Sequence, residues 1–105
     1  MQLFDTHCHI DVEEFDDDRV QVLQAARSVG VRDLLVPAVM RSTWPGLVAL
    51  CAADAHLHAA LGMHPVYLNR HRPEDVDALA DAVASQPPLA IGEIGLDWYV
   101  PGLDR

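Results

Sequence analysis

The chain is poor in positive charge. Its 105 residues hold seven Lys and Arg against 16 Asp and Glu, a formal net charge of −9. Domains that hold nucleic acid through their own field are usually basic, because the non-specific grip on phosphates comes from Lys and Arg. Bulk charge therefore argues against nucleic-acid binding. Local chemistry can overturn that, since a carboxylate-rich chain can hold divalent cations, often the largest positive charges in a site. Cysteine is scarce too. Cys8 and Cys51 are too few for the disulfide framework of a small secreted domain and read as free thiols. Long apolar runs are missing: LLVPAVM reaches seven residues, where a membrane span needs eighteen or more. There is no basic-then-apolar leader, and the expectation is a soluble, cytoplasmic protein with no membrane partner.

What remains is a globular profile, 50% hydrophobic and 22% charged, without linker or low-complexity segment. The length suits one domain, residues 1–105. Residues 2–9 alternate as a strand. The segment 16–30 reads as a helix, with Val20, Leu23, Ala26 and Val29 on its apolar stripe. Asp16, Asp17 and Asp18 are set to cap its start, and Gly30 to stop it. Branched residues at 31–39 predict a buried strand. A helix follows within 42–55, with Pro45 in its first turn. A third strand runs through 57–65. The segment 72–86 reads as a helix with Val76, Leu79, Ala80 and Val83 inward. A fourth strand spans 88–97. Such alternation predicts an α/β fold of parallel strands joined by helical crossovers. Either a small open sheet or the first half of an eight-stranded barrel satisfies it.

Function in such folds sits at the carboxyl ends of the strands. The polar residues obey that rule: His7, His9 and Asp11 end the first strand, His64 the third, and Glu93 and Asp97 the fourth. Residues two apart on a strand share a face, so His7 and His9 can aim at one metal ion while Cys8 points away. Imidazole is the commonest metal ligand, and a carboxylate from elsewhere can complete or bridge the site. Glu93 is the candidate, because a lone carboxylate in an apolar strand needs a partner. Two divalent ions sharing it would activate water and stabilise a phosphoryl oxygen. Two roles are open to Asp5: orienting a histidine from behind, or capping local backbone. His64 and Asp97 either serve the site or close turns. His56, His58 and His71 lie away from the cluster and read as structural or exposed. NRHR at 69–72 is the only basic knot; it reads as a solvated loop, with contact to a phosphate backbone as the alternative.

These motifs resemble one family. DTHCHID in the first strand, GMHP after the third and GEIGLDWY at the fourth are similar, in order and spacing, to the TatD-type metal-dependent deoxyribonucleases. The resemblance implies a TIM-like (β/α)8 barrel, two divalent metal ions (Mg, Mn or Zn), and hydrolysis of DNA or another phosphodiester, typically from the 3′ end. By the same resemblance His7 and His9 hold one ion, Glu93 bridges both, and His64 lies close to the substrate phosphate. The family continues with two more histidine ligands and a catalytic aspartate, and a full barrel takes about 250 residues. The expectation is therefore the N-terminal half of such an enzyme, inactive alone. Two other readings stand beside it. One is an amidohydrolase-like enzyme cleaving C–N or C–O bonds. The other is a non-catalytic half barrel that self-associates through its open sheet.

Overall fold

The computed structural model describes residues 1–105. Four strands form one sheet in the order β1-β2-β3-β4, every neighbouring pair parallel. They are β1 (Leu3–Asp5), β2 (Val31–Pro37), β3 (Leu57–Leu61) and β4 (Ala90–Ile91). Three helices join them: α1 (Arg19–Ser28), α2 (Trp44–Ala52) and α3 (Glu74–Ser85). This is the expected strand–helix alternation, and it forms the first half of a TIM-like barrel.

The core lies between the sheet and its helices. Leu34 and Val36 of β2 and Leu57 and Leu61 of β3 meet Leu23 of α1 and Trp44 and Leu47 of α2. Because strand side chains alternate, Asp33 and His58 fall on the opposite, inner face. There the Asp33 carboxylate accepts from His58 Nε2 at 3.0 Å, His56 Nδ1 at 3.1 Å and Arg32 Nε at 2.6 Å. Phe4 stacks on the His58 ring. His56 and His58 are thus structural, as expected.

The helix faces and the cap of α1 differ from the expectation. The inward stripe of α1 is Arg19, Val22, Leu23, Ala26 and Arg27; Val20 is 64% exposed and Val29 is exposed as well. In α3, likewise, Val76 and Ala80 face outward, and Ala78, Leu79 and Ala82 pack on the core. Two interleaved apolar sets compete in each helix, and packing picks the set with i, i+3, i+4 spacing. The acidic run does not cap α1 either. Asp18 occupies the N-cap position without a side-chain bond, and Asp16 instead receives Arg19 at 2.8 Å. Gly30 does end the helix, with φ of +100° in the region L side chains avoid.

The outer strands are shorter than 2–9 and 88–97. Their main chains nevertheless stay tied to the sheet beyond the strand ends. Cys8 N–H donates to Leu35 O at 3.1 Å, Gly92 N–H to Leu61 O at 2.9 Å, and Glu93 N–H to Ala38 O at 2.9 Å. These bonds carry the candidate ligands.

Candidate metal centre

His7 and His9 follow β1, where Asp5 shapes the exit. Asp5 Oδ1 accepts the His7 backbone N–H at 3.1 Å, so the observed bond caps backbone rather than holding an imidazole. The bond from Cys8 N–H to Leu35 fixes the residue between the two histidines. Cys8 packs toward the core, and burial, then Asp5, pushes its thiol pKa up. The loop beyond is pinned by Arg19. Its guanidinium donates to Ile10 O at 2.7 Å, Val12 O at 2.9 Å and Asp11 O at 3.3 Å. The sequence reading missed this residue. The signal available was an arginine opening a helix that begins ten residues after the histidine pair.

The Nε2 atoms of His7 and His9 stand 3.2 Å apart. Glu93 closes the group: Oε1 lies 3.5 Å from His7 Nε2 and Oε2 lies 3.3 Å from His9 Nε2. One ligand atom from each of the three lies within 4.8 Å of the others. The chemistry and spacing of this donor set fit a divalent cation. Two nitrogens 3.2 Å apart are placed as neighbouring ligands are at about 100° around one ion with bonds of about 2.1 Å. The group lies open to solvent, with the His7 side chain 57% exposed and Glu93 21%.

His64 completes the cluster from the end of β3. Its N–H donates to Val39 O at 2.8 Å, and its carbonyl accepts from His71 Nε2 at 2.7 Å. Its ring Nδ1 accepts the Val66 N–H at 2.9 Å, capping the 3-10 turn Pro65–Arg70. That bond leaves the proton of the neutral ring on Nε2. Nε2 points at Glu93 Oε1, 3.7 Å away. His64 thus closes a turn and faces the cluster at once. His71 reads as structural, and its structural role is to hold His64.

Gly62 is what lets the two strand ends meet. A Cβ there would collide with the Glu93 carbonyl oxygen and come within 2.5 Å of the Gly92 carbonyl carbon.

Asp97 and Asp11 stand apart from the triad. Asp97 Oδ1 accepts the N–H groups of Val100 at 2.9 Å and Tyr99 at 2.7 Å. Those two bonds hold its carboxyl below the usual range. It closes the turn after the fourth strand. Asp11 has a buried Oδ1 without a hydrogen-bond partner, and burial pushes its pKa up.

Fold and cluster together define a class: proteins of (β/α)-barrel type that gather a His–x–His pair and a strand-end carboxylate at the carboxyl ends of their strands. More narrowly, the chain belongs to the TatD related DNase family, which matches residues 4–103. Among its relatives is YjjV of Escherichia coli K12, named an uncharacterized metal-dependent hydrolase. It is 37% identical over 93% of this chain and 39% of its own length. YabD of Bacillus subtilis carries the same kind of name and is 32% identical over 92% of this chain and 38% of its own. The crystal structure of YjjV, described as a TatD homolog, superposes with a TM-score of 0.88 over 94% of this chain and 39% of that one. The chain thus spans about two fifths of the length of these relatives. Their family, their metal dependence by name and the half-barrel fold agree with the resemblance read from the motifs. No helix is long and apolar enough to cross a membrane.

Proposed function

We propose that residues 1–105 form the N-terminal half of a divalent-metal-dependent phosphodiesterase barrel that acts on DNA, trimming it from the 3′ end. The observation that carries this reading is the convergence of four side chains from three strand ends: His7, His9, Glu93 and the Nε2 of His64. His7 and His9 would hold one ion, and the Glu93 carboxylate, with one oxygen toward each histidine, would complete that ion's donor set and be shared with a second. Mg, Mn and Zn all suit such ligands. Ions held there supply Lewis acidity toward a phosphoryl oxygen and make water nucleophilic near neutral pH.

The remaining work falls to side chains. The protonated Nε2 of His64 donates to a substrate phosphate oxygen beside Glu93, orienting it and offsetting its charge. The bonds from Val66 and His71 keep that donor fixed before substrate arrives. Asp5 and Asp97 support the site through the backbone they cap. The relatives' longer chains, together with the ligands implied by the resemblance, support a chain that binds metal weakly and is nearly inert as a nuclease alone. With β1 and β4 as edge strands and Phe4 and Ile91 exposed on them, it also self-associates.

The test pairs two measurements on the purified chain. Titration with Mn(II), followed by electron paramagnetic resonance, is expected to show binding that His7→Ala/His9→Ala abolishes. Incubation with 3′-labelled single-stranded DNA is expected to give only trace trimming. Unaltered Mn(II) binding by the double variant would overturn the ligand assignment. Robust trimming by the 105-residue chain would overturn the incompleteness. A longer form that turns over esters or amides and leaves DNA intact would favour the amidohydrolase-like reading.

A further inference from the structure

All seven basic residues are arginines, and five are engaged elsewhere. Arg19 pairs with Asp16, Arg27 with both oxygens of Asp54, Arg32 with Asp33, and Arg41 with Asp75. Arg105 donates to the carbonyls of Asp97 and Val100 and covers the Trp98 ring. Only the guanidiniums of Arg70 and Arg72 lack a carboxylate or carbonyl partner. In a chain of net charge −9, both open into one place.

That place is a cleft of about 630 Å³ between the segment after β2 and the segment after the Pro65–Arg70 turn. Arg70 reaches across it to Met40, with Nη1 4.0 Å from the sulfur. Arg41 and Ser42 form the opposite wall. Two carboxylates also line it. Asp75 is buried and already committed, accepting Arg41 Nη1 at 3.1 Å and the Arg72 N–H at 3.0 Å. The Arg72 N–H and then Arg41 hold its carboxyl below the usual range. Glu74 is exposed. With Arg41 and Asp75 paired, two uncommitted guanidiniums face one uncommitted carboxylate.

The cleft is coupled rigidly to His64. The residue between the two free arginines is His71, whose ring is bonded to the His64 carbonyl. On the other wall, Val39 accepts the His64 N–H and Met40 follows directly. The six-residue turn that starts just after His64 and ends at Arg70 spans at most about 12 Å.

We infer that this cleft is a phosphate-binding subsite. Arg70 and Arg72, with Arg41 and Ser42 opposite them, take the sugar–phosphate backbone of a single strand a few phosphates away from the one presented to His64 and Glu93. The inference rests on the phosphodiester reading and deepens it. It also explains how so acidic a chain could grip nucleic acid: the two guanidiniums left without a carboxylate or carbonyl partner open into one cleft instead of lying apart on the surface. Guanidinium forks suit phosphate oxygens, and unpaired ones need break no ion pair to reach them.

The test measures binding to the 105-residue chain, so it does not depend on turnover. A fluorescein-labelled single-stranded oligodeoxynucleotide is titrated by anisotropy at several salt concentrations. R70Q/R72Q is expected to bind about tenfold or more weakly. Its plot of log affinity against log salt is expected to be shallower by about 1.4, two charges at roughly 0.7 each. R70K/R72K, which keeps the charge, is expected to recover the slope. Both side chains are exposed and unpaired, and an unchanged circular dichroism spectrum and unfolding midpoint confirm that the variants fold. An oligonucleotide bound equally by the parent and R70Q/R72Q overturns the subsite and leaves the phosphodiester reading standing. An oligonucleotide that the parent does not bind at low salt counts against both. Inorganic phosphate that shifts the Arg70, Arg72 and Ser42 amide resonances without oligonucleotide binding marks a small-anion site and overturns the polynucleotide proposal.

Discussion

Replacing Gly62 by alanine tests whether close contact between two strand ends is what presents Glu93. The new methyl would stand 2.5 Å from the Gly92 carbonyl carbon and 2.7 Å from its oxygen, besides colliding with the Glu93 carbonyl oxygen. Carbon contacts are comfortable at about 3.5–4.0 Å, so the Gly92–Glu93 backbone must retreat by about 1 Å. That stretches the 2.9 Å bonds from Gly92 N–H to Leu61 O and from Glu93 N–H to Ala38 O out of hydrogen-bonding range. Two such bonds are worth about 1–3 kcal/mol together, offset in part by about 0.4–1 kcal/mol from the stiffer unfolded chain. Metal ligands tolerate displacements of only about 0.2 Å, so the same retreat removes Glu93 from the donor set. The expected outcome is a lower unfolding midpoint and Mn(II) affinity reduced by about tenfold or more. Gly46→Ala is the control. Nothing lies within 4 Å of its new methyl, and inside α2 it is expected to raise stability by up to about 1 kcal/mol. Gly62→Ala with the parent's Mn(II) affinity and unfolding midpoint would refute the argument.

Other outcomes follow from the same geometry. Leu47→Ala, at a fully buried site on α2, is expected to lose about 2–5 kcal/mol in a denaturant titration, while Val20→Ala on the exposed face of α1 stays within about 0.5 kcal/mol. Asp33 is held well below the usual carboxylate range, first by His58 and then by Arg32. Its contribution to stability is present above its unfolded pKa of about 4 and is lost as pH falls below that, so Asp33→Asn is expected to flatten the acid limb of a pH–stability curve. Burial, then Asp11 and Asp54, pushes the Cys51 thiol up to about 11, and iodoacetamide at pH 8 is expected to leave it unmodified until denaturant is added. Sedimentation velocity is expected to show association that grows with concentration, since Phe4 and Ile91 on the outer strands, and Leu89 just before β4, remain exposed; a clean monomer throughout would count against it.

The alternation of strands and helices was legible because apolar runs and their glycine and proline boundaries are local features. His7, His9 and Glu93 were legible because two-residue spacing on a strand and a carboxylate among apolar neighbours both demand an explanation. What was not legible depends on partners far along the chain. Val20 and Val22 look equally inward until the sheet selects Val22. Arg19 looks like any helix-opening residue until its guanidinium meets the carbonyls of residues 10–12. NRHR read as a solvated loop because nothing in its own sequence shows that Arg41 and Ser42 stand opposite. The length of the outer strands was overestimated for a similar reason: the ladder continues through single bonds beyond the regular pairing, and those bonds rather than strand geometry position the ligands.

The two tryptophans turn this architecture into its own optical probe. Trp44 is buried, 6% exposed, and its indole donates to the Gly62 carbonyl at 3.0 Å, next to the backbone that carries Glu93. Trp98 is 76% exposed beyond β4. Their emission should therefore separate into a blue component shielded from iodide and a red component quenched by it. The shielded component reports, without any label, when the carboxyl end of β3 loosens, and the quenched one reports when something covers the segment beyond β4.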